Sequence, residues 1–167
     1  MINEAVVVDG KPHPPANLEQ LRIFPGVQDS LRKLKKIGFV TLVVTNQPDV
    51  ARGKTTMEFV QKIHDRLTKK LPIDGFYTCW HDEKEECCCR KPKPGLIRKA
   101  ADELGINLSQ SFMVGDRWRD VEAGQAAGCR TVFLDYGYSE KSPAKADFKC
   151  KNLREAVNWI YQQEIAK

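Results

Sequence analysis

Four of the six cysteines, Cys79, Cys87, Cys88 and Cys89, fall within eleven residues, and His81 lies among them. The order Cys-x-His-x5-Cys-x-Cys has the donor types and spacing of a zinc site, because that ion favours four tetrahedral sulfur and nitrogen ligands. Buried cysteines acting as small hydrophobes fit poorly beside His81, Asp82, Glu83, Lys84, Glu85 and Glu86. Four protein ligands leave no open coordination position, so the expected ion is structural. On spacing alone, Cys87 and Cys88 are both open as the third ligand. Cys89 directly precedes Arg90 and Lys91, so a metal held by this loop (residues 79–91) would fix two cations in place.

A second set of residues suits phosphoryl chemistry. Gly115-Asp116-Arg117-Trp118-Arg119-Asp120 follows an apolar run and opens a helical one. Carboxylates at 116 and 120 share a helix face and could hold Mg²⁺, a hard ion that takes carboxylate and phosphate oxygens. They could also do no more than cap the helix. Thr45-Asn46, after Val43-Val44, offers a hydroxyl and an amide that can both donate hydrogen bonds, though both are also ordinary turn residues. Arg90-Lys91 adds cations. A phosphoryl transition state spreads negative charge over its equatorial oxygens, so a lysine, a donor hydroxyl and a metal are the groups that it requires.

The elements that must position these residues can be read from periodicity. Val27, Leu31, Leu34 and Ile37 recur at helical spacing between Pro25-Gly26 and Gly38. Phe39 to Val44 reads as a buried strand. A helix capped by Thr55 or Thr56 follows, with Phe59, Val60, Ile63 and Leu67 inward. Strands are expected at 76–78, 112–114 and 131–134, and helices at 96–104, 121–127 and 153–160. Strands alternating with helices imply βαβ units: an α/β, Rossmann-like parallel sheet with helices on both faces, within one domain over residues 1–167. Ligands bind at the carboxyl ends of such strands, where Thr45, Cys79 to Lys91, Asp116 and Asp120 fall.

Composition narrows the class. The 167 residues are 41% hydrophobic and 29% charged, with 27 basic against 22 acidic side chains. The net charge of +5 is scattered and has no aromatic-interleaved stripe, which argues against nucleic acid; an excess of positive charge suits a small anionic substrate. No run approaches the ~20 apolar residues of a membrane span, and residues 1–5 show no signal segment, so the expectation is a cytoplasmic protein without disulfides.

Taken together, Val43-Val44-Thr45-Asn46-Gln47, Lys91 and Gly115-Asp116-x-x-x-Asp120 resemble motifs two, three and four of the haloacid dehalogenase superfamily of phosphatases. Cys-Arg-Lys-Pro at 89–92 and the cysteine loop resemble the branch that contains D-glycero-D-manno-heptose 1,7-bisphosphate phosphatase and histidinol phosphatase. The resemblance runs from about Ile2 to the C-terminus. It implies that Thr45 and Lys91 stabilise the transferred phosphoryl group and that Asp116 binds a catalytic Mg²⁺, with Asp120 of the same motif a further catalytic candidate. It also implies that Asn46 and Arg90 contact substrate, their motif neighbours Gln47 and Arg117 being further substrate-binding candidates. The zinc ligands that it implies are Cys79, His81, Cys87 and Cys89, and it points to a monomer.

Members of this superfamily carry Asp-x-Asp at the end of a first, central strand: one Asp attacks phosphorus and the second is the acid and base. The chain contains no Asp-x-Asp. Ile2-Asn3 resembles the residues just past that motif, so the expectation is that the first strand and nucleophile lie upstream of Met1 and that these 167 residues alone are inactive. The alternative makes Asp9, after Ala5-Val6-Val7-Val8, a degenerate nucleophile. The expected function is Mg²⁺-dependent hydrolysis of a sugar-phosphate-type monoester, heptose 1,7-bisphosphate first. Histidinol phosphate and a catalytically dead phosphate-binding module are the alternatives.

Overall fold

The computed structural model describes residues 1–4, 6–8, 11–143 and 145–165. An antiparallel hairpin, β1 (Val6–Val8) with β2 (Lys11–His13), precedes α1 (Val27–Lys36), β3 (Leu42–Asn46), the short α2 (Pro48–Ala51) and α3 (Met57–Lys70). Then come β4 (Gly75–Cys79), α4 (Gly95–Leu104), β5 (Phe112–Gly115), α5 (Trp118–Ala127), β6 (Arg130–Leu134), β7 (Phe148–Cys150) and α6 (Leu153–Ile165).

Every pairing among β3 to β7 is parallel, as the alternation of strands and helices requires. The expected single sheet is, however, two pieces among the described residues: β3–β4 and β5–β6–β7. Side chains on β5 show that both faces are covered. Phe112 and Val114 pack on the core formed by Val27, Leu31 and Leu34 of α1 and Val157 and Ile160 of α6. Met113, between them, faces α5 so closely that a Cβ at Gly124 would stand 2.5 Å from its own. Alternation along a strand produces this division.

The boundaries have local causes. Gly38, at φ 88°, and the Phe39 N–H bonded back to Leu34 O end α1. The chain therefore pairs only from Leu42, three residues later than the sequence suggests. Asp74 Oδ2 accepts from the Thr41 N–H (2.6 Å) and hydroxyl (3.1 Å) just ahead of β3. Asp147 treats Thr131 of β6 in the same way. Thr56, not Thr55, caps α3, accepting from the Phe59 N–H. Val6–Val8, the strand expected to lead to Asp9 if Asp9 were the nucleophile, lies in the hairpin and outside the parallel pieces. Asp9 itself lies outside the described residues.

Candidate functional site

The carboxyl end of β3 delivers Thr45 and Asn46, β4 ends at Cys79, and β5 ends at Gly115 just before Asp116. A cavity of about 360 Å³ is lined by β3 from Leu42 to Thr45 and by β5 from Phe112 to Val114. Gln47, Lys91, Asp116 and Asp120 line the same cavity as Thr45. Residues up to 75 positions apart in sequence are thus gathered at one place.

Lys91 is the keystone of the arrangement. Its ammonium donates to Val44 O of β3 and to Asp120 Oδ1 of α5, each at 2.6 Å, tying the end of β3 to that helix. Lys91 is 8% exposed and Asp120 6%, and deleting one partner of so buried a pair costs about 3–5 kcal/mol. Asp120 Oδ2 also accepts from the Arg117 N–H at 3.1 Å, so it caps α5 as well as pairing with Lys91. Of the two readings of this carboxylate in the sequence, the structure shows the cap, and it adds an ion pair with Lys91 that neither reading contained. Gly115 is required beside it: an added Cβ would lie 2.1 Å from Asp120 Cβ.

Asp116 is free of Lys91. Its Oδ2 accepts from the Tyr138 hydroxyl at 3.4 Å and from the Met1 ammonium at 3.2 Å. Burial and the Asp116 charge push the Tyr138 hydroxyl far above the ordinary phenol range, so it remains a donor. As a hard oxygen donor at the cavity wall, Asp116 fits Mg²⁺, which takes one or two carboxylates plus phosphate and water.

The other candidates are engaged with protein groups. The Asn46 amide accepts from the Lys91 N–H and donates to the Lys91 carbonyl, both at 3.1 Å, which pins that residue's backbone. Gln47 donates to the Thr45 hydroxyl at 3.1 Å. Arg90 donates to His81 O at 3.3 Å, and Arg117 forms a two-bond ion pair with Glu140.

The cysteine loop folds so that the ligand atoms of Cys79, His81, Cys87 and Cys89 all lie within 4.8 Å of one another. Their contacts run from 3.2 to 3.7 Å, against about 3.8 Å between sulfurs around a tetrahedral ion with 2.3 Å bonds. Cys88 points out to solvent, which decides the register left open by spacing in favour of Cys87. Burial pushes the Cys89 thiol up to about 12. Burial acts the same way on Cys87, but the hydrogen bonds from Cys89, from Cys79 and from the Arg90 and Cys89 backbone together outweigh it and bring Cys87 to about 7. The cluster thus already shares its protons unevenly. Gly95, at the start of α4, seats the loop: a Cβ there would meet Cys88 O at 2.3 Å. Arg52 holds the outer side through Asp82, whose carboxyl its hydrogen bonds lower to about 2.

A family model described as HAD-hydrolase-like matches residues 88–156. A D-glycero-beta-D-manno-heptose-1,7-bisphosphate 7-phosphatase of Helicobacter pylori (strain J99 / ATCC 700824) is 36% identical over 148 residues, covering 85% of this chain and 84% of the relative. The Escherichia coli K12 protein of the same name is 36% identical over 129 residues, covering 70% and 68%. The chain belongs to the haloacid dehalogenase (HAD) superfamily, in the branch of these phosphatases. In fold it matches the D,D-heptose 1.7-bisphosphate phosphatase from B. bronchiseptica, solved with magnesium and phosphate, at TM-score 0.78 and 24% identity over 95% of this chain and 93% of that one.

Against the HAD motifs, sequence reasoning missed Tyr138 and Glu140, which follow β6 and reach Asp116 and Arg117. The rule that sent attention to the ends of the other strands applies equally to the end of β6. It missed Glu83 as well, which receives both Arg90 and Arg119 and resembles any exposed acid in a charged loop.

Proposed function

We propose that this HAD protein is a Mg²⁺-dependent phosphatase of a bisphosphorylated sugar, D-glycero-D-manno-heptose 1,7-bisphosphate first, releasing its 7-phosphate. The observation that carries the reading is the gathering of Thr45, Lys91, Asp116 and Asp120 around one cavity at the carboxyl ends of β3 and β5. The names of the relatives favour the bisphosphate over histidinol phosphate.

In this reading Thr45 and Lys91 donate to the equatorial oxygens of the phosphoryl group, and Asp120 keeps the Lys91 ammonium aimed. Asp116 would hold Mg²⁺, which supplies charge neutralisation when bound. Asn46 keeps the Lys91 backbone in place, while Gln47, Arg90 and Arg117 remain the candidates for substrate contact. The Cys79, His81, Cys87 and Cys89 cluster holds a structural Zn²⁺ that fixes Arg90 and Lys91.

The attack itself needs a carboxylate. The cavity between β3 and β5 has apolar walls, including Val43 and Val114, and its end is lined by Lys91 and Asp116. It suits a strand that pairs with both neighbours and ends in the nucleophile. That carboxylate attacks phosphorus while the ester oxygen leaves and takes a proton from a second acid; water then cleaves the acyl phosphate, freeing inorganic phosphate and the carboxylate.

The test is phosphate release from heptose 1,7-bisphosphate with Mg²⁺, by the 167-residue chain and by a form extended at its N-terminus by about ten residues, enough for one strand and its turn. Turnover is expected of the extended form alone. Failure of the extended form on this and simpler phosphate esters would sink the reading. Turnover by the 167-residue chain that Asp9→Asn abolishes would instead make Asp9 the nucleophile.

A further inference from the structure

The chain beyond β6 is fastened to the start of α5, next to Asp116. Gly137, at φ 72°, turns it there, and the Gly137 N–H donates to Asp135 Oδ1 at 2.9 Å. Asp135 is held in turn by Lys149 at 2.9 Å, and Tyr136 stacks on Phe24 at 5.5 Å. From this base three side chains meet the α5 end in order. The Tyr138 hydroxyl donates to Asp116 Oδ2 at 3.4 Å, and Glu140 makes its two-bond ion pair with Arg117, the N-cap residue of α5. Lys141 lies over the Trp118 ring at 4.4 Å and reaches Glu122 at 2.9 Å. Residues 138, 140 and 141 are thus zipped onto 116, 117 and 118.

The outer contacts fix the place of the inner one. A two-bond arginine–carboxylate pair sets orientation as well as distance, and the Glu140 side chain is only 18% exposed. On its other side Tyr138 is flanked by the Tyr136 ring, with centroids 5.9 Å apart. Both polar contacts of Asp116 among the described residues, from Tyr138 and from the Met1 ammonium, fall on Oδ2, which leaves Oδ1 for a metal. Mg²⁺ demands a near-octahedral arrangement, so a carboxylate that serves it has to be aimed, and hydrogen bonds to the ligating group do that aiming.

We propose that Tyr138 is a positioning residue for the Mg²⁺ ligand Asp116, and that the Glu140–Arg117 pair is the anchor that holds Tyr138 in place. The inference rests on the phosphatase reading for the ion and deepens it by naming what orients the carboxylate. The site thereby extends from the ends of β3 and β5 to the segment that follows β6.

The test measures binding of Mn²⁺, which takes the same oxygen ligands as Mg²⁺, to zinc-loaded, N-terminally extended protein, by loss of the free-ion electron paramagnetic resonance signal. Extension turns the Met1 ammonium into an amide, so Tyr138 remains the donor to Asp116. Tyr138→Phe removes the hydroxyl and keeps the ring. It should weaken binding about tenfold, the low end of the ~10–100-fold range for such partners because the bond is long at 3.4 Å. Its zinc content and metal-free melting temperature should match those of the wild type. Glu140→Gln should also weaken binding, and the double variant should bind no worse than Tyr138→Phe alone, since both changes act through one hydrogen bond. Wild-type affinity in Tyr138→Phe, a loss matched by a lower metal-free melting temperature, or losses that add in the double variant overturn the proposal. Asp116→Asn separates the two readings. Mn²⁺ binding that it leaves intact would overturn the metal assignment and the proposal together, whereas binding that depends on Asp116 but not on Tyr138 sinks the proposal alone.

Discussion

Lys91 and Asp116 sit at the same cavity but are held differently, which separates what their removal should do. Lys91 is locked between Val44 O and Asp120, whereas Asp116, among the described residues, accepts from the Tyr138 hydroxyl and the Met1 ammonium. In an N-terminally extended, active form, Lys91→Ala and Asp116→Ala should each lower kcat at least ~100-fold, as loss of one preorganised charge-stabilising group does. Lys91→Ala should in addition lower the melting temperature, because it strands the buried Asp120 carboxylate. Near wild-type rates in either variant would show that these groups do not face the phosphoryl group. At the cysteine loop, elemental analysis should find one zinc per chain. Cys79→Ser and Cys89→Ser should lose it, and Cys88→Ser, at the solvent-facing position, should retain it. Retention by Cys79→Ser would mean that the cluster is not a closed four-ligand site.

Among the elements, β5 and α5 meet closely, and Gly115 is why they can approach. Gly115→Ala should push Asp120 away from Lys91, with a loss of both stability and turnover larger than the ~0.5–1 kcal/mol scale of glycine–alanine backbone effects. A variant as stable as wild type would disprove the close contact. On α3 the period of the apolar residues located Val60 and Leu67 but passed over His64, which is 5% exposed and stacked on Phe76 at 4.1 Å. Burial lowers its pKa below the usual histidine range. The unfolded chain then binds a proton at a higher pH than the folded one does. The His64 contribution is therefore fully present above about pH 6.5 and is lost as pH falls through the window between that value and the lowered one. At saturating zinc, urea unfolding of His64→Leu between pH 7.5 and 5 should show a shallower loss of stability than wild type. Parallel profiles would assign the acid sensitivity elsewhere.

At the scale of the whole molecule, Lys91 links the end of β3 to α5 at the active end, and the core of α1 and α6 packs against both the β3–β4 and the β5–β6–β7 pieces. A strand seated between the pieces would pair with both and cover the apolar walls of the cavity. Extension by a strand-length segment that ends in the nucleophile should therefore raise the melting temperature together with activity. A rise in activity without one would mean that the segment reaches the site without joining the sheet.

The sequence by itself determined the α/β class, the parallel direction of the strands, the helix faces and the identities of Thr45, Lys91, Asp116, Asp120, Cys79, His81 and Cys89 as candidates, because periodicity and short spacings are local signals. Its strand at 39–44 was misplaced by the turn at Gly38, and β7, three residues with an exposed Lys149 at its centre, carried too short a pattern to read. Only the tertiary structure decided that Cys87 and not Cys88 completes the cluster, and that Asn46 holds Lys91 across 45 positions. It also decided that Tyr138 and Glu140 reach back to Asp116 and Arg117, and that Glu83 lies between Arg90 and Arg119. These contacts depend on where separate strand ends arrive in space, and no spacing along the chain encodes that distance.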